Sequence, residues 1–408
     1  RPRQGTSPPA PPYVRAYGVE PGIRFRVPGS TLTGCLDVSI GRNIILKKRR
    51  SNWRLNNVRL SFNDDRERIF RPMKIAVTGG AGFIGSHLTR AYLDAGHDVL
   101  VIDTLINGSR EALDSRARFY QLDIRDAKFQ TLLQKERPDI VSHHVVQRQS
   151  AYPLEEPSLA DADVHIRGLL NVLDSCVAAS VSKIIFASSG NSLYGSSGGV
   201  GQTNPEQISV GEDAPLCPHK SHDISKAAGE WYVRYYTRQY GLAHTIFRYA
   251  EVYGETAGDL AQHPLSHFVA MLLAGRRPLI RGAADEIRDH IFIDDVVSAN
   301  ICALERARNQ TMHISSGQGN TLKQLYTTVA YILQTEIEPV YISNSLVEPS
   351  SIVLDNTLAR QVLGWRPQVD FTTGVQLACE RWYGLPVPAL APVEVAQSES
   401  RIAVPVLV

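Results

Sequence analysis

Cysteine is scarce and unpatterned in this chain. Its 408 residues hold five, at 35, 176, 217, 302 and 379, with no C-x-x-C spacing. That argues against a disulfide framework or a cysteine zinc site and points to a reducing compartment, expected to be the cytoplasm. No apolar run approaches the roughly 18 residues of a membrane span, so no membrane partner is expected. A strong charge of either sign is also missing. The formal net charge is +2, and nothing global points to nucleic acid. Internal repeats and long low-complexity segments are absent from the sequence.

The balanced total conceals an asymmetry. Residues 1–72 carry 15 Lys and Arg against 5 Asp and Glu, whereas the remainder carries 28 against 36. The same stretch holds the run Pro8 to Pro12 and the basic block Lys47 to Arg50, and shows no sustained helical or strand period. A basic arm or a targeting segment is one reading, although an apolar core of the signal-peptide kind is lacking. The other, adopted here, makes residues 1–72 a disordered or poorly packed extension translated upstream of a start at Met73. Residues 386–408, rich in Pro, Val and Ala, read as a tail.

What is present is organised around M-K-I-A-V-T-G-G-A-G-F-I-G, Met73 to Gly85. Lys74 to Thr78 suits a buried parallel strand, and a helix pattern follows with Ile84, Leu88, Ala91 and Tyr92 on one face. Gly80, Gly82 and Gly85 fit G-x-G-x-x-G, while Gly79, Gly82 and Gly85 fit G-x-x-G-x-x-G. In either reading the missing β-carbons let the backbone turn tightly and approach a pyrophosphate at the helix N-terminus. A second strand, Asp98 to Ile102, ends at Asp103, where a carboxylate can accept from both ribose hydroxyls and repel a 2′-phosphate. The cofactor expected is therefore NAD rather than NADP.

Downstream, candidate strands at Ala117–Gln121, Asp139–His143, Lys183–Ser188 and Leu242–Arg248 alternate with helices at Ala127–Glu136, Ser158–Ser180 and Ile224–Tyr240. Such alternation means βαβ units. The fold expected is α/β, a Rossmann-type doubly wound parallel sheet. Ligands on such sheets bind at the carboxyl ends of strands. That draws attention to Asp123-Ile124, placed to meet an adenine, to His143 to Gln147, and to S-S-G-N-S-L-Y-G at 188–195.

Several ordered blocks carry a more specific resemblance. They are T-G-G-A-G-F-I-G, Asp103, L-D-I-R-D at 122–126, S-S-G-N-S-L-Y-G, S-K-A-A-G-E at 225–230, F-R-Y-A-E-V-Y-G at 247–254, R-D-H-I-F-I-D-D-V at 288–296 and L-G-W-R-P at 363–367. From Met73 to about Gly384 the chain resembles the extended short-chain dehydrogenases/reductases, in particular the NAD-dependent sugar epimerases and dehydratases. The resemblance implies a mainly NAD-binding part at 73–250, a smaller, mainly substrate-binding α/β part at 251–385, a nucleotide-sugar substrate and a homodimer built on two helices from each subunit. It implies that Gly79, Gly82, Phe83, Ile84, Gly85, Asp103, Asp123, Ile124 and Lys226 contact the cofactor.

For catalysis the resemblance implies a Ser or Thr, a Tyr and a Lys four residues after it. Ser189 and Lys226 fit the outer two roles. The position of the tyrosine base is His222, in S-H-D-I-S-K, and no other lysine has a tyrosine four residues before it. Three more family positions differ. Val145-Val146 stands for an Ala-Ala pair, His165 for an Asn, and Glu251 for an Asn facing the nucleotide diphosphate. Arg288 matches the arginine that grips that diphosphate; otherwise it would pair with Asp289 or Asp285.

Neutral imidazole can accept a hydroxyl proton, so His222 leaves two readings open: an active enzyme, or a silent protein that binds NAD and a nucleotide sugar. Gly190-Asn191-Ser192 lacks the carboxylates that family dehydratases and decarboxylases carry there, which leaves C4 epimerisation as the leading reaction. Asp294-Asp295-Val296 is expected to open a helix with an acidic N-terminus. His143, His144, His219, His222, His263, His267, His290 and His313 show no paired ligand spacing, so no metal is expected. Trp365 and Tyr253 read as core.

Overall fold

A computed structural model describes residues 71–146, 158–195, 208–255, 264–281, 284–342 and 351–383. The basic extension up to residue 70, the tail from 386, Gln147 and His263 lie outside the described residues.

The chain opens with β1 (Lys74–Thr78), α1 (Phe83–Asp94), β2 (Asp98–Asp103), β3 (Arg118–Gln121), α2 (Lys128–Glu136) and β4 (Ile140–His143). A long helical stretch follows: α3 (Ser158–Ala162), a π-helical segment (Asp163–Gly168) and α4 (Leu169–Ala178). Then come β5 (Lys183–Ser189), β6 (Ile208–Val210), α5 (Ser221–Tyr240), β7 (Ala243–Tyr249), β8 (Glu251–Tyr253) and α6 (Pro264–Leu273). The remainder is β9 (Leu279–Arg281), β10 (Ile287–Phe292), α7 (Ile293–Ala303), β11 (Gln310–Ile314), β12 (Gly319–Thr321), α8 (Leu322–Ile332), β13 (Val340–Ile342), β14 (Ile352–Leu354), α9 (Thr357–Leu363) and α10 (Phe371–Tyr383).

Among the described residues seven parallel strands form the main sheet, in the order β11-β7-β5-β4-β1-β2-β3. This is the expected α/β doubly wound sheet. Its central strands are apolar almost throughout because helices cover both faces; β2 is buried from Val99 to Asp103 and β4 along its whole length. The strand order reverses between β1 and β4, and such a switch point opens a crevice at the strands' carboxyl ends. Among the described residues a smaller sheet, β12-β10-β14-β6 with β8 beside β10, is built from later segments together with β6, which comes from before α5. One buried cluster runs from Ile75 and Leu88 to Ile291, Leu325 and Trp365, and the late strand β11 returns to the main sheet beside β7.

Helix α5 starts three residues earlier than its pattern suggests and ends where Gly241 takes φ 72°, a left-handed cap. Ala227 and Val233 are buried, but Trp231 and Tyr235 face outward. The inward face is instead polar: Asp223, Ser225, Lys226 and Glu230. Asp294 and Asp295 lie in the first turn of α7, and Trp365 and Tyr253 are buried.

Candidate active site

The glycine loop lies at the switch point. Gly79 takes φ 74°, and its N–H donates to the Ile102 carbonyl at 2.9 Å. A β-carbon there would stand 2.6 Å from the carbonyl oxygen of His144, just past β4. At Gly85 a β-carbon would stand 2.2 Å from the Gly79 carbonyl oxygen. Both glycines are thus required by contact, and Gly79 by conformation as well. Gly82 is the N-cap of α1 and no side chain caps the helix, so the first-turn amides of Phe83, Ile84 and Gly85 form the kind of terminus that takes a phosphate. The cradle fits a dinucleotide.

Asp103, buried at the end of β2, accepts the Ala81 N–H on Oδ2 at 3.0 Å and the Leu105 N–H on Oδ1 at 2.8 Å. Each carboxylate oxygen keeps a lone pair for a ribose hydroxyl. Asp123 accepts from the backbone N–H and the guanidinium of Arg125, which also reaches Asp163 at 2.5 Å. Ile124 is 4% exposed and packs against Gly168, so much of its side chain serves the core between sheet and helix.

Ser189, His222 and Lys226 are tied to one another through α5. Lys226 lies inside the protein, where its Nζ donates to the Ala187 carbonyl on β5 at 2.8 Å and sits 5.2 Å from the Phe186 ring centre. Burial pushes its ammonium down to about 8, against a smaller opposing pull from Asp161. One turn earlier on the same helix stands His222. Ser189, at the end of β5, is 2.6 Å from Ser192, and Ser192 donates to Asp223 on α5 at 2.7 Å. The Ser189 proton is therefore directed at Ser192, leaving its oxygen to accept. His143 and His144 lie below; burial first, then the Lys226 charge, lowers both, His144 to about 3.

Reading the sequence missed the neighbour of His222. Asp161 on α3 presents Oδ1 to two imidazoles, 3.7 Å from His222 Nδ1 and 3.7 Å from His165 Nε2. The rings cross edge to face with centres 4.7 Å apart. Survey of histidine spacings passed over this group because its members come from separate segments. The signal available was Asp161 and His165 at i and i+4 on a helix.

Arg288 does not pair with Asp289 or Asp285. Its guanidinium lies 3.8 Å from Glu251 and 3.3 Å from Glu286. Asp289 is fully buried and engaged elsewhere, accepting from Ser316, Gly317 and Leu354. Thus Glu251, where a diphosphate-facing Asn was implied, has the compensating cation beside it.

A family model described as NAD dependent epimerase/dehydratase matches residues 75–315. UDP-glucose 4-epimerase of Mycolicibacterium smegmatis is 33% identical over 315 residues, covering 76% of this chain and 98% of its own. That of Lacticaseibacillus casei is 31% identical, covering 73% and 93%. Among solved structures, UDP-glucose 4-epimerase of Thermotoga maritima with UDP-glucose superposes with a TM-score of 0.70 at 34% identity, covering 76% of this chain and 98% of that one. The Thermus thermophilus enzyme in complex with NAD gives 0.69 at 31%, covering 77% and 100%.

Proposed function

Because this chain belongs to the NAD dependent epimerase/dehydratase family, with NAD as its cofactor, we propose that it epimerises a nucleotide-linked sugar at C4. The observation that carries this reading is the glycine cradle at the switch point, together with Lys226 and His222 one turn apart on α5 and Ser189 joined to that helix through Ser192 and Asp223. NAD supplies the acceptor and donor of hydride. Lys226 is assigned to the nicotinamide ribose. The Ser189 oxygen, its own proton directed at Ser192, accepts a hydrogen bond from the reacting hydroxyl. Proton uptake falls to the His222 station. Arg288 grips the diphosphate, with Glu251 withdrawing part of its charge. Residues 73–250 hold mainly the cofactor and residues 251–385 mainly the sugar.

One observation favours a silent binder. Among the described residues His222 Nδ1 has no hydrogen-bond partner, and 3.7 Å is too far for Asp161 to fix its tautomer through a hydrogen bond. The two readings separate on incubating the full chain with UDP-glucose and measuring UDP-galactose alongside bound NAD. Product formation supports the enzyme; NAD at one per chain with no product over hours supports the binder.

The outward residues Leu159 on α3 and Ile224, Trp231 and Tyr235 on α5 support a homodimer across that face. Among the described residues Cys176, Cys217, Cys302 and Cys379 are free thiols, which supports a reducing, cytoplasmic setting. No described helix is long and apolar enough to cross a membrane.

A further inference from the structure

The Asp161–His165–His222 group has the geometry of an ion site more than that of a hydrogen-bonded relay. Hydrogen bonds between a carboxylate and imidazole N–H run at about 2.7–3.0 Å. Both nitrogens instead stand 3.7 Å from the same oxygen, Asp161 Oδ1, and all three candidate donor atoms lie within 4.8 Å of one another. Ligands bound to one zinc-sized ion at roughly 2.0–2.2 Å are expected about 3.3–3.6 Å apart in a tetrahedral shell. The two spacings to Asp161 are within a few tenths of an ångström of that value, and the two imidazole nitrogens are no more than 4.8 Å apart.

The surroundings fit as well. Asp161 Oδ2 accepts the Ser225 hydroxyl at 2.7 Å and the Ser221 hydroxyl at 3.3 Å, which turns Oδ1 toward the imidazoles. Such second contacts orient a ligating carboxylate. His165 is 4% exposed, and burial, with the Lys226 and His222 charges, holds its ring neutral down to about 2. Neutral imidazole is the ligand form. The Lys226 ammonium opposes a nearby dication; the Asp161 charge offsets it, and the Lys226 Nζ is held on the Ala187 carbonyl.

We propose that Asp161 Oδ1, His165 Nε2 and His222 Nδ1 together bind one divalent transition metal ion of the zinc type. Two histidines and one carboxylate leave a fourth position to water, the ligand count of a catalytic rather than a structural site. Such a water ionises near neutral pH, and the hydroxide so formed is a proton acceptor. It would stand at the His222 station and give that station a base without requiring a free imidazole. The proton of a substrate hydroxyl would pass to metal-bound hydroxide, forming metal-bound water and an alkoxide.

The site is tested by metal uptake, read without turnover, so its failure is separate from failure of the epimerase reading. Full-length protein stripped with chelator is titrated with Co²⁺ and followed by its visible d–d bands, then with Zn²⁺ against a chelating dye. One ion per chain is expected, with the cobalt bands of a four-coordinate site. His165→Asn, His222→Tyr and Asp161→Asn should each abolish those bands, and Ser225→Ala should weaken binding by about 10–100-fold. Retained NAD and an unchanged near-UV circular dichroism spectrum report that each variant is folded; any one folded variant suffices for the comparison. Absence of uptake by the wild type, or uptake undiminished in a folded variant, overturns the proposal.

Discussion

Glu230 on α5 and Arg248 on β7 meet through two hydrogen bonds, Nε to Oε1 at 2.9 Å and Nη2 to Oε2 at 2.8 Å, with both side chains buried. The pair joins the helix that carries Lys226 to the sheet it lies on, and Ser188, next to Ser189, donates to the same Oε1 at 2.7 Å. Removing one partner of such a pair leaves the other charge buried and uncompensated. Glu230→Met is expected to lower unfolding free energy by about 3–5 kcal/mol in urea denaturation. A loss below about 1 kcal/mol would mean that Arg248 finds another partner.

His313 is a neutral imidazole used on both sides. Its Nδ1–H donates to the Asp355 carbonyl at 2.9 Å, and Nε2 accepts the Tyr194 hydroxyl at 2.6 Å, that hydroxyl itself accepting from Arg248. Burial pushes the ring down to about 4. Between the ordinary value of about 6.5 and about 4 the unfolded chain binds the extra proton. Stability from this group is therefore complete above that window and is lost as pH falls through it. The unfolding free energy of wild type minus that of His313→Gln should shrink on the order of 2–3 kcal/mol from pH 7 to pH 4. A pH-independent difference would show that His313 is not the titrating group.

The Gly85 contact predicts a cofactor phenotype. Gly85→Ala places a methyl group against the Gly79 carbonyl, so the loop must open. NAD affinity, measured by calorimetry on cofactor-free protein, is expected to fall roughly tenfold or more. Gly211→Ala, where a β-carbon meets nothing within 4 Å, serves as the control and should leave affinity unchanged.

With Arg288 in its proposed diphosphate role, Glu251, 3.8 Å from its guanidinium, would compete with that diphosphate. Glu251→Asn removes that competition and is expected to tighten UDP by about fivefold, roughly 1 kcal/mol, while Arg288→Ala weakens it by at least as much. Calorimetry with UDP decides. Tighter binding in both variants would remove Arg288 from the diphosphate site.

The outward aromatics on α5 make the last prediction. Trp231→Lys should convert a sedimenting dimer to monomer at micromolar concentration while NAD remains bound. A wild type that sediments as a monomer would overturn the proposed dimer, and a dimer unaltered by the substitution would place its contact elsewhere.

The main sheet was legible because its strands are short apolar runs separated by helix patterns; edges moved by a residue or so. The glycine loop was legible because its signal is local: strand, turn, helix and acid lie within thirty residues. Polar burial was harder to read. On α5 Glu230 is buried while Trp231 faces outward, because Arg248, buried on β7, draws the carboxylate inward, and only tertiary packing brings that partner to it. The alternative for Arg288, a pair with Asp289 or Asp285, fails because Asp289 is buried and engaged elsewhere, while Glu251 and Glu286 stand beside the guanidinium. Asp161 was invisible because its importance depends on His222, sixty residues away, and tertiary packing brings them together.

The π-helical segment Asp163–Gly168 has a consequence for how this site could change. A π turn holds one more residue than an α turn, so it absorbs an inserted residue locally. The helical faces on either side, α3 against α5 and α4 against α2, keep their alignment while the wall between them bulges and carries His165 inward. Lengthening or shortening that wall by one residue can therefore redraw the chemistry beside Lys226 without disturbing the packing around it.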